Sequence, residues 1–120
     1  MSALALEQLQ SPPLAPGDDA IDLEHLSRMT LGERSLEREV LALFDRQAQI
    51  LLQRMATPAA AAAAAHTLRG SAAGIGAWRV ARAAEAVEHA GAVKFAAAVG
   101  ALGIAIDEAR AAITALLRTH

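Results

Sequence analysis

From Phe95 to Leu116 the chain carries an apolar seam of Phe95, Val99, Leu102, Ile106, Ala109, Ile113 and Leu116, spaced 4-3-4-3 without a break. A strand faces one side with every second residue, whereas this spacing lines up all seven side chains on one stripe of a helix. The seam passes through Gly100 and Gly103, each of which costs a helix roughly 1 kcal/mol against alanine. One helix from about Ala92 to Leu117 is expected, with room for a bend. A single apolar stripe must be covered by other elements.

The rest of the chain supplies further helices. Ile21 and Leu26 anchor a short helix over about Ala20 to Met29. Thr30 and Glu33 have capping-box spacing, which predicts a helix from about Leu31 to Met55 with Leu36, Val40, Leu43, Phe44, Leu51 and Met55 as its stripe. Thr57-Pro58 is a start signal, a hydroxyl followed by proline at the first helical position. The alanine run Ala59–Ala65 continues that helix, and Gly74 is its expected terminator. Another helix is predicted from about Gly76 to Ala90, with Ala77, Val80, Ala84 and Val87 as its seam and Gly91 as its stop. The expected fold is all-α. It is an antiparallel four-helix bundle, up-down-up-down, with a short additional N-terminal helix. Residues 1–18 include Ser11-Pro12-Pro13-Leu14-Ala15-Pro16-Gly17 and read as a flexible tail, with at most a helical turn or two over Ala3 to Gln10; residues 19–120 form the domain.

Composition agrees and excludes other classes. The chain is 54% apolar, but its aromatics are limited to Phe44, Trp78 and Phe95, which suits close-packed helices better than strands. A net charge of −2 gives no footprint for nucleic acid and no signal for a membrane surface. The absence of cysteine removes disulfides and thiolate metal sites and is compatible with the cytoplasm. No signal peptide is read at the N-terminus. The longest uncharged apolar run, Phe95 to Ile106, is too short to span a bilayer.

One segment points to chemistry. If Ala61, Ala64, Ala65, Leu68 and Ala72 face inward, His66 lies on the outer side, with Ala62, Arg69, Gly70 and Ala73 around it. The imidazole then stands on a surface almost bare of side chains apart from one guanidinium. Imidazole titrates at about pH 6.5, so much of it is neutral and nucleophilic at neutral pH. Attack on a phosphoryl group needs an in-line approach and neutralisation of charge. Arg69 can grip phosphate oxygens through its planar fork, Gly70 removes bulk, and Ser71 can cap locally or touch a partner. Against this stand a plain surface histidine with a solvated arginine, and a Gly70 that lets another helix come close. On the next helix Trp78, Ala81, Glu85 and Glu88 form a stripe beside the core seam. A hairpin pivoting at Ile75 brings part of it near His66. Glu88 is then either an acceptor for Nδ1, leaving Nε2 as nucleophile, or a solvated glutamate. Trp78 is either a docking surface or a lid on the bundle end. His25, His89 and His120 show no ligand spacing and read as surface residues.

His66-Thr67-Leu68-Arg69-Gly70-Ser71, with Gly76-Ala77 ten and eleven residues after the histidine, resembles the signature of histidine-containing phosphotransfer (HPt) domains. The likeness covers roughly residues 20 to 117. It implies a carrier whose histidine takes a phosphoryl group from a receiver-domain aspartate and passes it to another receiver. It further implies His66 as phosphoacceptor, Arg69 as the phosphate-holding cation and Gly70 as the clearance residue. Arg69 departs from the lysine common in the family. A glutamate at an offset similar to that of Glu88 orients the imidazole in the phosphotransfer domain of chemotaxis kinases. No glycine-rich nucleotide loop is present, so a carrier without its own ATP site is expected, with no cofactor of its own and Mg²⁺ arriving on the receiver. The partners expected are receiver domains of response regulators or of a hybrid kinase, met by a cytoplasmic monomer. The alternatives are a non-catalytic adaptor bundle with a degenerate site and a kinase dimerisation domain, where an acidic residue rather than Thr67 would follow the histidine.

Overall fold

A computed structural model describes residues 19–119; the tail of residues 1–18 and His120 lie outside the described residues. Among the described residues five helices follow one another: α1 (Leu23–Met29), α2 (Arg34–Gln53), α3 (Pro58–Ile75), α4 (Trp78–His89) and α5 (Phe95–Thr119). The last four pack in a ring, α2 on α3, α3 on α4, α4 on α5 and α5 on α2, and α1 lies against α3. Short connections make neighbours in the ring antiparallel, so the bundle expected from the sequence is the one formed.

Alanine decides how close the helices come. Ala48, Ala61, Ala65, Ala72 and Ala84 are fully buried, and between them sit Leu41, Leu68, Val80, Leu102, Ile106 and Ile113. Full burial of a side chain the size of Leu68 contributes about 1.5–3 kcal/mol. α5 keeps the predicted seam in one helix through both glycines; its start at Phe95 leaves residues 90–94 as the connection.

Four local expectations fail. The helix expected from Ala20 starts at Leu23, because the extended Asp22 caps it and accepts from the backbone N–H of His25. Thr30 does not open the following helix with Glu33 but ends α1. Its hydroxyl donates back to the carbonyl of Leu26 at 2.9 Å. Leu31 and Gly32 take left-handed φ values of 56° and 74°, and Gly32 N–H reaches the carbonyl of Ser27 at 2.8 Å. That is the pattern of a helix C-terminus that reverses the chain. α2 consequently starts at Arg34 with no side-chain cap. Its buried face is Leu41, Phe44, Ala48 and Leu51; Leu36 and Leu43 of the predicted stripe are exposed. Finally, Gly74 lies inside α3, and the helix ends at Gly76, φ 81°.

Gly76 is fixed by a contact as well as by its dihedral. A Cβ there would meet the carbonyl oxygen of Asp22 at 2.8 Å, while Asp22 N–H donates to the carbonyl of Gly76 at 2.9 Å. The reversal between α3 and α4 is therefore also the seat of α1.

Candidate functional site

α3 faces the core with Ala61, Ala64, Ala65, Leu68, Ala72 and Ile75. This leaves His66 pointing to solvent, its side chain 71% exposed. Ala62 and Gly70 are exposed beside it and Ala73 is half-buried. Nothing lies within 4 Å of the position a Cβ would take at Gly70. Gly70 therefore has no helix-packing role and leaves open surface one turn from the imidazole.

The α3–α4 hairpin sets the partners of the ring. His66 lies ten residues before Gly76 and Glu88 ten after Trp78, so at 1.5 Å per residue both stand about 15 Å from the turn. His66 Nδ1 is 3.2 Å from Glu88 Oε2 and 3.2 Å from Arg69 Nη2. Arg69 also donates from Nε to Glu88 Oε1 at 2.8 Å and from Nη2 to Oε2 at 3.4 Å. Among the described residues no hydrogen bond reaches Nε2 of His66.

The Glu88 side chain is only 13% exposed. Desolvation pushes its carboxyl up, but hydrogen bonds from His66 and Arg69, with the charge of Arg69, outweigh this and hold it below the usual glutamate range. An ionised carboxylate can only accept. It can therefore accept Nδ1–H from the imidazole, whereas the Arg69 guanidinium can only donate to Nδ1. The guanidinium lies against Glu88 through Nε and Nη2; among the described residues no bond uses Nη1.

The other candidates lie elsewhere. Trp78 donates Nε1–H to Asp22 Oδ2 at 2.9 Å, and its ring centroid is 4.8 Å from that of His25. It sits at the turn, about 15 Å along α4 from Glu88, where it ties α1 to the bundle end; the structure does not bring it to His66. His25, expected on the surface, is half-buried there, and its Nε2 is buried without a partner. Ser71 is half-buried toward α2, beside Leu43 and Gln47.

A groove between α2 and α3 is a feature that the sequence reading missed. It is about 430 Å³ in volume and is lined by Leu43, Arg46, Gln47, Ile50, Leu51, Arg54 and Thr67, the residue next to His66. Leu43 and Ile50 are 55% and 49% exposed. The available signal was a second apolar row on α2, Leu36, Leu43 and Ile50, a heptad apart.

Among the described residues no group of three or more histidine or acidic side chains could hold a metal ion, and no helix is long and apolar enough to cross a membrane. The family model for the Hpt domain matches residues 34–118, which takes in α2 to α5, His66, Arg69, Gly70 and Glu88 and leaves α1 outside. No curated protein and no solved structure matches the chain.

Proposed function

The chain belongs to the Hpt domain family, the histidine phosphotransfer modules of two-component systems, and on that premise we propose that it carries a phosphoryl group on Nε2 of His66 between receiver domains. The observation that carries this reading is the exposed ring with Nδ1 against a carboxylate and, among the described residues, no hydrogen bond on Nε2.

The chemistry balances without a proton entering or leaving. The Nε2 lone pair attacks phosphorus of the receiver's aspartyl phosphate. The Nε2–P bond forms as the P–O bond breaks, and the receiver's carboxylate departs. The ring keeps its Nδ1 proton and becomes a phosphoimidazolium, whose positive charge the Glu88 carboxylate offsets. Transfer to the next receiver runs the same steps backwards, and the leaving imidazole is neutral. Arg69 presents its outer edge to the phosphoryl oxygens. Gly70, Ala62 and Ala73 give the receiver's backbone room, and the groove with Arg46 and Arg54 offers an apolar, cationic seat beside it.

Hpt domains are phosphocarriers rather than ATP-using enzymes. The chain then needs no cofactor of its own, and Mg²⁺ comes with the receiver. It would work as a cytoplasmic monomer, with receivers rather than nucleic acid or lipid as partners. The test is incubation with phosphorylated receiver domains. Base-stable, acid-labile label on the wild type and none on His66→Gln is the expected result. A wild type that takes no label from any receiver of the same organism contradicts the carrier reading and favours an adaptor.

A further inference from the structure

Three groups meet at one ring nitrogen. Glu88 Oε2 and Arg69 Nη2 are each 3.2 Å from His66 Nδ1, but Nδ1 offers either a hydrogen or a lone pair, never both. If it holds the lone pair, it accepts from the guanidinium, and the carboxylate oxygen faces that lone pair without a hydrogen between them. If it holds the hydrogen, the carboxylate receives it, and Nη2 turns its own hydrogen to Oε2, 3.4 Å away. The second arrangement gives Glu88 three donors, Nε, Nη2 and Nδ1, and removes the repulsion.

We propose that Arg69 is a positioning residue, which fixes His66 in the Nδ1–H tautomer by clamping the carboxylate that receives that proton. Two features of the site require the clamp. Glu88 stands on α4 while His66 and Arg69 stand on α3, so the carboxylate needs an anchor on the opposite helix. The shortest contact in the cluster, 2.8 Å from Nε to Oε1, provides it. The planar fork meets both carboxylate oxygens at once and still turns an edge outward. A lysine ammonium is a point charge on a flexible stem and cannot present that pair of parallel donors. This explains what arginine does at a position where the charge alone would be satisfied by lysine.

The role in transfer rests on His66 being the phosphoacceptor, but the tautomer belongs to the resting protein and is measured without any receiver. The experiment is long-range ¹H–¹⁵N spectroscopy of histidine-labelled protein at about pH 8.5, two units above the ordinary imidazole value. Wild type, Arg69→Lys and Glu88→Gln are compared, with circular dichroism to check folding and a transfer rate for each. Wild-type His66 should carry its hydrogen on Nδ1. Both variants should lose that signature toward the Nε2–H form, and their transfer should slow roughly tenfold, equivalent to about 1.4 kcal/mol. An Nε2–H ring in the wild type, an unchanged tautomer in Arg69→Lys, or a lost tautomer with an unchanged transfer rate would each overturn the proposal. A wild type with the Nδ1–H signature that takes no label sinks the carrier reading instead and leaves the clamp standing.

Discussion

His25 and His66 both lie close to a carboxylate, and the two sites use that carboxylate in opposite ways. At the bundle end Asp22 accepts the indole N–H of Trp78 and the backbone N–H of His25. The imidazole of His25 packs on Trp78, with Nε2 buried and unpartnered. In the middle of α3 the carboxylate of Glu88 reaches the imidazole itself, and the His66 side chain is 71% exposed. A carboxylate that takes backbone and indole donors fixes a chain reversal. One that lies against a ring nitrogen is placed to select the tautomer. Proximity of histidine and acid therefore says little until the atoms are known.

The largest expected effect breaks the comparison outright. His66→Gln should remove all phosphoryl label while His25→Gln keeps it, read by autoradiography after incubation with a phosphorylated receiver. Label that depends on His25 would mean the two sites are not divided as argued.

A second substitution probes the structural site alone. Gly76→Ala forces a left-handed residue to carry a Cβ 2.8 Å from the Asp22 carbonyl, so stability should fall by about 2 kcal/mol or more in urea unfolding. Transfer by the fraction still folded should stay at the wild-type rate. A matching loss of transfer per folded molecule would show that the bundle end and His66 are coupled. Trp78→Phe should have the same sign and a smaller size, because it removes one hydrogen bond and keeps most of the ring packing.

The smallest effect is a pH dependence. The indole of Trp78, then the backbone N–H of His25, hold the Asp22 carboxyl below the usual aspartate range against some desolvation. A carboxyl with a depressed folded value binds its proton more weakly in the folded than in the unfolded state. Its stabilisation is full above the unfolded value of about 3.9 and fades as pH falls through the folded one. The gap in unfolding midpoint between wild type and Asp22→Asn should accordingly narrow below about pH 4. A gap that stays constant down to acid pH would remove Asp22 from this account.

Much of this was legible in the residues. The inward face of α3 followed from helical spacing alone, and so did the outward place of His66. A hairpin pivoting at Ile75 placed only part of the Trp78–Glu88 stripe near His66 and left Glu88 open; the turn at Gly76 and the start of the next helix at Trp78 bring Glu88 level with the ring. What failed was decided by contacts that spacing cannot express. Thr30 and Glu33 have the separation of a capping box, but the hydroxyl is better satisfied by the carbonyl of Leu26 behind it. α2 carries two apolar rows, and only its neighbours in the ring select Leu41 and Ala48 over Leu36 and Leu43. Gly74 and Gly76 are equally good terminators by type, and the close approach of Asp22 selects the second. The charge of Arg69 was visible in the sequence, but its bond to Glu88 was not, because that bond depends on a rotamer and on the neighbouring helix.

The most direct measurement identifies which ring nitrogen carries the phosphoryl group. Wild-type protein labelled with ¹⁵N at histidine is phosphorylated by a phosphorylated receiver, and the coupling between ³¹P and the ring nitrogens is recorded. Coupling to Nε2 of His66, with the hydrogen still on Nδ1, is the predicted result. A phosphoryl group on Nδ1, or on any residue other than His66, would contradict the account.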